Sequence, residues 1–254
     1  MKREGGSEAA KRRAGERAAE AVSEGDVVGL GTGSTAAHAI RALGRRRADG
    51  LDVRGIPTSH QSRELAIEVG IPLTALDEVG GVDVAIDGAD QLATVDRSAG
   101  VDGGETATSD RGEPTAALIK GGGAAHAREK VVDAAADRFL VVVDPSKLAA
   151  TLDRPIPVEV LPDAVPVVED ALRGLGGEPA LRAAEGKDGP VVTDNGNLVV
   201  DSAFGPVDDP AGLAAALSAI PGVLEHGLFV GMADVVCVGH EDGVDVRRYR
   251  TSEG

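Results

Sequence analysis

Two glycine-rich stretches stand out in this chain, and each lies near residues that can bind an anion or move a proton. The first is Gly29–Thr35, with the sequence GLGTGST, and the second is Lys120 followed by Gly121–Gly123. Glycine lets the backbone approach a ligand closely and direct N–H groups towards an anion. Between them lies Asp87–Asp90, with the sequence DGAD, and carboxylates and lysines are groups that transfer protons. Together these residues predict an enzyme that acts on a small phosphorylated molecule.

Each of these chemical features also has a simpler explanation. Asp87 and Asp90 could acquire the divergent pKa values that suit acid–base catalysis, but Asp-Gly is also common in solvated turns. Three consecutive glycines would suit a flexible linker, yet here an apolar run precedes them and a helical pattern follows. Glu129 lies in that helical pattern, where it is either a functional acid or the partner of an arginine on an exposed face. Lys147 follows another apolar run and is either a second functional lysine or an ordinary surface lysine.

The first glycine stretch differs from the motifs that bind nucleotides. The dinucleotide fingerprint needs a glycine where this chain has Ser34 or, in the other register, Ala36. Asp49 and Asp52 lie about where an acid would bind a ribose, so the sequence disfavours a nicotinamide cofactor without excluding it. The stretch therefore predicts an anion site of another kind, or a tight turn between a strand and a helix that binds nothing.

The composition disfavours several classes of function. The chain has 254 residues and a net charge of -16, with 42 acidic against 26 basic residues. This balance disfavours nucleic-acid binding, because phosphate contacts come from clustered lysine and arginine. Only six of the basic residues are lysines, and an acidic, lysine-poor surface is expected of a protein kept soluble in concentrated salt. The five histidines and the single Cys237 have no metal-ligand spacing, so we expect neither a metal site nor a disulfide.

The apolar segments are too short for a membrane protein. No segment approaches the roughly 20 consecutive apolar residues of a transmembrane helix. The first residues also lack the apolar stretch of a signal peptide. We therefore expect a cytoplasmic protein that has no membrane partner.

Strand and helix patterns alternate along the first part of the chain. They predict strands at 27–30, 53–56, 82–86 and 139–143, and helices at 7–24, 34–43, 61–69 and 125–136. Such alternation predicts an α/β fold with a Rossmann-like, mostly parallel sheet and helices on both faces. Ligands of such sheets bind beyond the carboxyl ends of the strands, where both Gly29–Thr35 and Asp87–Asp90 lie. On the helix predicted at 125–136, the residues Ala127, Val131, Ala134 and Ala135 share one apolar face.

The pattern changes near Asp153, where a second unit begins. A strand at 158–160, helices at 166–175 and 210–219, a hairpin with its turn at Asp194–Asn197 and a strand at 223–229 predict a smaller α+β (ferredoxin-like) domain. Strands predicted at 233–238 and 244–249 return to the main sheet. The expected domains are residues 1–152 together with 230–254, and residues 153–229. Residues 94–114, rich in Asp, Gly, Thr and Ser, predict an exposed loop.

Several short stretches form an ordered set that spans nearly the whole chain. They are Gly29–His38, Asp87–Asp90, Ile119–Ala125 with Arg128–Lys130, Pro157–Val160, Val191–Asn197 and Ile220–Val223. In type and order this set closely resembles the type A family of ribose-5-phosphate isomerases. The resemblance implies a homo-oligomer (dimer or tetramer) that uses no cofactor. It also implies interconversion of ribose 5-phosphate and ribulose 5-phosphate through an enediolate.

Carried over residue by residue, the resemblance implies a substrate site on these motifs. Its lining would comprise Thr32, Gly33, Ser34, Thr35, Asp87, Gly88, Ala89, Asp90, Lys120, Gly121, Gly122, Gly123, Lys147 and, from the first helix, Lys11. Glu129 matches the family's proton acceptor, a carboxylate that takes a proton from one carbon and returns it to the next. Lys120 is a candidate to stabilise the enediolate oxygen, and Asp87 or Asp90 could carry the proton of ring opening. Lys11 matches a basic position for the phosphate of the same or a neighbouring subunit.

Two departures from the family pattern and one alternative function stand beside this interpretation. Gln91 lies where the family usually has glutamate, and residues 94–114 form an insertion before Lys120. The alternative is a non-catalytic sugar-phosphate-sensing domain on a related fold, which would keep the glycine loops without needing Lys120 and Glu129. Such sensors usually carry a DNA-binding segment, and no helix-turn-helix pattern fits the first 25 residues.

Overall fold

The architecture is taken from a computed structural model, which describes residues 6–95, 114–186 and 188–249. The helices in these ranges are α1 (Glu8–Ala19), α2 (Ser34–Ala48), α3 (His60–Glu68), α4 (His126–Ala134), α5 (Val165–Gly174) and α6 (Pro210–Ser218). The strands are β1 (Val27–Leu30), β2 (Arg54–Pro57), β3 (Val84–Gly88), β4 (Gln91–Val95), β5 (Thr115–Ile119), β6 (Phe139–Val143), β7 (Ile156–Val160), β8 (Glu178–Leu181), β9 (Leu198–Ala203), β10 (Val223–His226), β11 (Leu228–Val230), β12 (Val235–Gly239) and β13 (Val244–Arg248). Short 3₁₀ helices lie at Leu76–Glu78, Pro145–Lys147 and Pro162–Ala164.

The main sheet has six strands in the order β13-β12-β6-β3-β1-β2. Its strands run parallel except β13, which pairs antiparallel with β12 at one edge. β1 and β6 are buried along their whole length, because a parallel strand covered on both faces needs apolar residues throughout. The predicted fold class, a mostly parallel Rossmann-like sheet beside a smaller α+β unit, is confirmed.

Alternate residues along the central strands enter two different cores, one on each face of the main sheet. Ile86 and Leu140 face the core that α1, α2 and α3 close. Ala85 and Phe139 face the opposite core, which is closed by a three-stranded sheet in the order β11-β5-β4. α4 lies beside that small sheet, where Val132 packs against β1 and β2. Strands therefore cover part of a face for which the sequence pattern predicted helices alone.

A second sheet, β10-β7-β9-β8, is antiparallel and lies within residues 153–229. Val168 and Leu172 of α5 and Leu217 of α6 pack against this sheet. The same core includes Ile119 of β5 and Leu228 of β11, so it is continuous with the three-stranded sheet. The division of the chain into residues 1–152 with 230–254, and 153–229, stays a prediction.

The strand predicted at 223–229 is two strands that belong to different sheets. β10 pairs with β7, whereas β11 pairs with β5. The chain changes sheets at Gly227, whose N–H donates to the Pro157 carbonyl at 2.7 Å while its own carbonyl accepts from the Lys120 N–H at 2.8 Å. A Cβ at this position would lie 2.2 Å from the Lys120 carbonyl oxygen, so the close crossing requires glycine.

The prediction of one apolar face on α4 is wrong in part. Val131 is 57% exposed, whereas His126, Glu129 and Asp133 are buried with Val132. Polar residues occupy the buried side because this part of α4 covers the carboxyl edge of the sheet. The exposed-face explanation of Glu129 is therefore wrong.

The hairpin predicted around Asp194–Asn197 is present as a turn but not as two full strands. The Thr193 N–H donates to the Asn197 carbonyl at 2.9 Å, and Gly196 has the positive φ, 83°, expected of the Asn-Gly turn. Pairing of the first arm is limited to a bridge between Val192 and Leu198. β9 instead pairs with β7 and β8, and the sequence pattern did not predict β8.

Other boundaries also differ from the sequence predictions. α1 ends at Ala19 instead of 24, and α2 continues to Ala48 instead of 43. The loop predicted at 94–114 begins later, because Thr94 and Val95 belong to β4, which pairs with β5. Residues 96–113 of that predicted insertion lie outside the described residues. Within the described ranges, none of the helices has the length and apolar character needed to span a bilayer.

Candidate active site

Three neighbouring strands of the main sheet, β1, β3 and β6, end at the same edge. The strand order reverses between β1 and β3, and such reversals create a crevice at the carboxyl ends of the strands. A cavity of about 240 Å³ lies there. Its lining residues are Glu8, Lys11, Thr32, Gly33, Ser34, Thr35, Gly88, Ala89, Asp90, Lys120, Gly121, Gly122, Gly123, Glu129 and Lys147. Every residue predicted for the site is in this lining except Asp87.

Asp87 lies beneath the first glycine loop and does not reach the cavity. It is completely buried, and its Oδ1 accepts hydrogen bonds from the N–H groups of Thr32 at 3.0 Å and Gly88 at 2.6 Å. A Cβ on Gly31 would lie 2.3 Å from the Asp87 Cγ, so the loop can cross the carboxylate only as glycine. The carboxylate therefore fixes the shape of the loop that lines the cavity.

The first glycine loop leads into the uncapped start of α2. Gly33 is the N-cap residue, has φ 107° and provides no side-chain hydrogen bond to the helix. The N–H groups of the first turn have no partner within the helix, and the helix dipole adds partial positive charge there. Ser34 and Thr35 line the cavity at this point. An uncapped helix start of this kind is the sort of feature that can bind an anion such as a phosphate.

Two lysines enter the cavity from other elements. Lys11 of α1 has a side chain 10% exposed, and its Nζ lies 3.0 Å from the Glu8 Oε1. Lys147 lies in the 3₁₀ helix after β6, where Asp144 caps the turn by accepting from the Ser146 N–H at 2.8 Å. Burial lowers the pKa of Lys147, and the nearby Asp90 opposes this shift. Both lysines line the same cavity as the start of α2.

The second glycine loop is held against Asp90. The Gly122 N–H donates to the Asp90 Oδ2 at 2.7 Å, and the Asp90 N–H donates to the Ile119 carbonyl at 2.8 Å. Gly121 has φ 99° and Ala124 has φ 59°, both in the left-handed region. A Cβ on Gly122 would lie 2.8 Å from the Asp90 Oδ1, so this contact also depends on glycine. Asp90 and the loop therefore form one wall of the cavity.

Lys120 joins both acidic groups at the floor of the site. Its Nζ donates to the Gly88 carbonyl at 2.7 Å and lies 3.0 Å from the Asp87 Oδ2 and 3.1 Å from the Glu129 Oε2. Lys120 is 2% exposed and Glu129 is 4% exposed. The two glycine stretches and the acid pair of the sequence thus converge on one ion-paired cluster, with Glu129 at the cavity surface.

The burial of this cluster changes its proton affinities. Burial raises the pKa of Glu129 to about 8, the charge of Asp87 adds to this shift, and Lys120 opposes it. Burial alone would lower the pKa of Lys120, but the charges of Asp87, Glu129 and Asp133 overcome this and hold it above the usual value. Burial also raises the pKa of Asp133 well above its usual value. Glu129 is therefore a carboxyl group that exchanges protons near neutral pH while Lys120 stays charged.

Sequence reasoning missed several residues that position the site. The Thr32 Oγ1 lies 2.9 Å from the Thr58 Oγ1 and donates to the Ser59 Oγ at 2.7 Å. Ser59 and Ser62 form a capping box at the start of α3, and a Ser-x-x-Ser pair is a visible helix-start signal. That signal predicts the helix but not the contact with Thr32. Asp133 could have been found, because it lies four residues after Glu129 and so on the same helix face.

The carboxylates of the site are organised around an ammonium group. The Nζ of Lys120 lies 3.0 Å from the Asp87 Oδ2 and 3.1 Å from the Glu129 Oε2. Among residues 6–95, 114–186 and 188–249, no group of three or more His, Cys, Asp or Glu side chains is placed to hold a metal ion.

The sequence matches one known protein family over most of its length. The family model described as ribose 5-phosphate isomerase A (phosphoriboisomerase A) matches residues 54–109 and 101–243. A relative from Natronomonas pharaonis named ribose-5-phosphate isomerase A is 64% identical over 247 residues, covering 97% of this chain and 100% of the relative. The chain belongs to the ribose 5-phosphate isomerase A family. The resemblance of the sequence motifs to this family is thereby confirmed over 97% of the chain.

Solved structures of the family have the same fold. The ribose 5-phosphate isomerase A of Methanocaldococcus jannaschii is 44% identical with a TM-score of 0.82, covering 94% of this chain and 97% of that one. A D-ribose-5-phosphate isomerase in complex with phospho-erythronic acid is 38% identical, also with a TM-score of 0.82 and the same coverage. Another relative, from Halorubrum lacusprofundi, is 62% identical and covers 98% of this chain and 100% of that relative. Both this relative and the one from Natronomonas come from halophiles. These organisms fit the acidic, lysine-poor composition.

Proposed function

We propose that the chain interconverts D-ribose 5-phosphate and D-ribulose 5-phosphate, and that Glu129 carries the proton between C2 and C1 of the sugar. The observation that carries this proposal is the position of the Glu129 carboxyl group. It is nearly buried, lies 3.1 Å from the Lys120 ammonium group and lines the cavity that the start of α2 also lines. A carboxylate base, a fixed cation and an anion site within one cavity are the groups that this isomerisation needs.

The phosphate of the substrate is assigned to the start of α2. Gly33, Ser34 and Thr35 at the start of α2 line the cavity, and the N–H groups of a first helical turn have no partner within the helix. Lys11 and Lys147 line the same cavity and add positive charge from two other elements. With the phosphate there, the open sugar chain extends towards Lys120 and Glu129. The phosphate then acts as the anchor that orients the reacting carbons.

Ring opening is assigned to Asp90. The reaction requires a proton to leave the anomeric hydroxyl and a proton to reach the ring oxygen. Asp90 lines the cavity and is oriented by the Gly122 N–H at 2.7 Å, whereas Asp87 is buried beneath the loop. Asp90 is therefore the aspartate with access to the sugar, and Asp87 is a residue that positions the loop and Lys120.

Proton transfer then proceeds through an enediolate. Ionised Glu129 takes the proton from C2 of the aldehyde form, and the electron pair of the C2–H bond moves to give a C1–C2 double bond and negative charge on O1. The Lys120 ammonium group stabilises that charge. The proton of the O2 hydroxyl then moves to O1, which leaves the negative charge on O2. Protonated Glu129 gives its proton to C1, the electron pair of the C1–C2 double bond forms the new C1–H bond, and the charge on O2 becomes the C2 ketone of ribulose 5-phosphate. One carboxyl group thus serves both half-reactions, and no oxidant or reductant is consumed.

A ligand of one relative offers a probe for this site. The solved isomerase with 38% identity is in complex with phospho-erythronic acid. Phospho-erythronic acid is a phosphorylated four-carbon acid, so it carries both a phosphate and a carboxylate. We propose that it binds this chain with its phosphate at the start of α2 and its carboxylate near Lys120. It is the probe used in the binding experiments below.

The sugar-phosphate-sensing alternative is not favoured. A binding domain needs the glycine loops and the anion site, but it does not need a nearly buried glutamate ion-paired with a buried lysine. Burying such a pair is costly, and here the pair lines the cavity instead of the core. A carboxyl group that lines a cavity and has a pKa near neutral pH, as Glu129 does, is typical of an acid–base catalyst.

The test is a coupled assay of purified chain with ribose 5-phosphate in a series of salt concentrations, without added metal or nucleotide. We expect ribulose 5-phosphate to form at a rate that saturates as the concentration of ribose 5-phosphate rises. Unphosphorylated ribose is the matched control, and its kcat/KM should be lower by several orders of magnitude, because it cannot use the start of α2 or the two lysines. Absence of ribulose 5-phosphate in every salt condition would overturn the proposed function.

We also propose that the chain forms a homo-oligomer, a dimer or a tetramer. Val131 and Leu224 line a groove between α4 and β10 and are 57% and 50% exposed. Exposed aliphatic side chains of this kind support a contact between subunits. Light scattering coupled to size-exclusion chromatography measures the mass directly. A mass of one chain at micromolar concentration and high salt would contradict the proposal.

We propose a cytoplasmic location for the protein. The substrate assigned above is a charged sugar phosphate, and such metabolites are retained inside the cell. Activity in the soluble fraction of lysed cells, and none in the medium, is the expected result of fractionation. Activity confined to the membrane or medium would contradict this location.

A further inference from the structure

An arginine from the four-stranded sheet reaches the second glycine loop of the active site. Arg182 directly follows β8, and its Nη1 donates to the carbonyl oxygen of Gly121 at 2.9 Å and to that of Gly122 at 3.4 Å. Arg182 does not line the cavity, so it does not contact a sugar bound there. Arg182 takes no part in the proton transfers proposed for Glu129, Lys120 and Asp90, and it belongs to none of the motifs in the sequence.

The guanidinium group of Arg182 is fixed from its other side. Its Nε donates to the Asp201 Oδ2 at 2.8 Å, and its Nη2 donates to the Asp201 Oδ1, which makes a bidentate pair with β9. The Arg182 backbone is held as well, because its N–H donates to the Val199 carbonyl and its carbonyl accepts from the Val191 N–H, both at 2.8 Å. Its side chain is 17% exposed. A planar guanidinium suits this role because it donates to a carboxylate and to a third acceptor in fixed directions.

The loop that Arg182 contacts has a backbone that needs support. Ala124 has φ 59°, a left-handed conformation that residues with a Cβ seldom adopt, and Gly121 has φ 99°. The Gly121 carbonyl accepts two hydrogen bonds, one from Arg182 and one from the Ala124 N–H at 2.9 Å. Such backbone persists where the surroundings hold it in place. Asp90 holds the loop at the Gly122 N–H, and Arg182 holds the carbonyl side.

We propose that Arg182 is a positioning residue of the active site, which holds Gly121–Gly123 in the shape that contacts the substrate, and that Asp201 orients its guanidinium group. The inference rests on the proposed function. It makes the four-stranded sheet part of the binding apparatus, although none of its residues needs to touch the sugar. Because the glycine wall contacts the substrate before and during reaction, its displacement weakens ground-state and transition-state binding together.

The experiment compares variants that change the contact by degrees. Arg182→Met removes the donors but keeps the length of the side chain, Arg182→Lys keeps the charge and some donors, and Asp201→Asn removes the charge that orients the guanidinium group. Arg173→Met is the matched control, because Arg173 pairs with Glu169 and Asp170 on the surface of α5. For each variant we measure kcat, KM, the Kd of phospho-erythronic acid by calorimetry, and the melting temperature.

We expect Arg182→Met to raise both KM and the Kd of phospho-erythronic acid by about tenfold to a hundredfold, with a smaller change in kcat. Arg182→Lys should recover part of the loss, and Asp201→Asn should act in the same direction more weakly. The double variant Arg182→Met with Asp201→Asn should bind no more weakly than Arg182→Met alone, because both changes act through one contact. The control Arg173→Met should keep wild-type values.

Other outcomes would overturn the inference. A folded Arg182→Met variant whose KM and Kd stay within twofold of wild type would contradict it. If Arg182→Met is unfolded at the assay temperature, Asp201→Asn decides, and an unchanged Kd in that variant overturns the inference. If wild type lacks isomerase activity, the proposed function fails, while the Kd of phospho-erythronic acid still tests whether Arg182 positions the loop.

Discussion

At the scale of single residues, the proton affinity of Glu129 depends on its burial beside one lysine and other acids. Glu129 must be ionised to accept the proton from the sugar, and burial raises its pKa to about 8. The carboxylates around Lys120 hold that ammonium group charged at all pH values used in assays. The active form is therefore the one in which Glu129 has lost its proton and Lys120 has kept its own.

The pH dependence follows from this assignment. Because the base is the ionised form, kcat/KM should rise about tenfold per pH unit below pH 8 and level off above it. No fall from loss of the Lys120 proton is expected below about pH 10. The measurement is a pH–rate profile in the coupled assay at constant ionic strength, with coupling enzymes in excess. A profile that is already level at pH 5 would contradict the pKa of Glu129.

The burial of Asp133 leads to a prediction about the stability of the fold. It is 3% exposed, its pKa is raised by burial, and neither of its carboxyl oxygens has a hydrogen-bond partner among the described residues. A folded-state pKa above the unfolded value of about 3.9 means that stability is lost as the pH rises from about 4 towards the folded-state pKa. Asn cannot ionise, so Asp133→Asn should increase the free energy of unfolding at pH 8 by about 1–3 kcal/mol and by less at pH 5.

Urea unfolding at pH 5 and pH 8 in one salt concentration measures this effect. Asp49→Asn is the matched control, because Asp49 is exposed and follows α2. Its free energy of unfolding should change little at either pH. Equal effects of the two substitutions, or a loss of stability at pH 8 in Asp133→Asn, would contradict the burial cost assigned to Asp133.

Gln91 is held by a contact with a distant part of the chain. Its Oε1 accepts from the N–H groups of Asp153 at 2.9 Å and Arg154 at 3.0 Å, and its Nε2 donates to the Asp153 Oδ1 at 2.6 Å. A glutamate at this position could accept the first two hydrogen bonds but would face the Asp153 carboxylate with a second charge. The amide is therefore matched to Asp153, and this pairing across 62 residues is not visible in local sequence patterns.

At the scale of elements, the predictions succeeded where one segment carries its own signal. Apolar runs located β1 and β6, and the glycine stretches located the two loops beyond the sheet. The predictions failed where contacts between distant segments determine which residues are buried and which strands pair. The buried face of α4 is polar because it covers the active site, and β8 and its partner β9 pair across a long connection. The site residues were predicted as a set from the family resemblance, because Lys11, Lys120 and Glu129 come from elements that local patterns do not bring together. The depth of Asp87 beneath its loop could not be predicted from the sequence.

The first glycine loop gives a prediction at this scale. Gly31→Ala would place a Cβ 2.3 Å from the Asp87 Cγ, so the loop and the carboxylate must move apart. Because Asp87 contacts Lys120 and the Thr32 N–H, we expect kcat/KM to fall by about a hundredfold or more. Gly80→Ala is the matched control, since a Cβ there meets no atom within 4 Å. Wild-type kinetics for Gly31→Ala would contradict the close packing of loop and carboxylate.

At the scale of the whole molecule, a scarce residue type is concentrated at the site. Three of the six lysines, Lys11, Lys120 and Lys147, line one cavity. A compact ammonium group fits against several oxygens where a planar guanidinium does not, which explains why these positions are not arginine. The remaining surface carries the net charge of -16 largely with Asp, Glu and Arg. Surface composition and site chemistry are therefore separate features of the chain.

The net charge predicts a dependence of stability on salt. Self-repulsion of the acidic surface is screened as the Debye length falls from ~10 Å at 0.1 M to ~3 Å at 1 M. We expect the melting temperature to rise by about 5–10 °C between 0.1 M and 1 M KCl. Differential scanning fluorimetry measures it, with sucrose at matched osmolality as the control for effects other than screening. A melting temperature that falls with KCl would contradict the role of surface charge.

The account depends most on one group, and Glu129→Gln tests it directly. The amide keeps the shape of the side chain but cannot accept the C2 proton, so kcat should fall by about a hundredfold to ten-thousandfold. Phospho-erythronic acid should still bind with a Kd within about tenfold of wild type, because the start of α2 and the lysines are unchanged. Turnover close to wild type in a correctly folded Glu129→Gln variant would contradict the assignment of the proton transfer to Glu129.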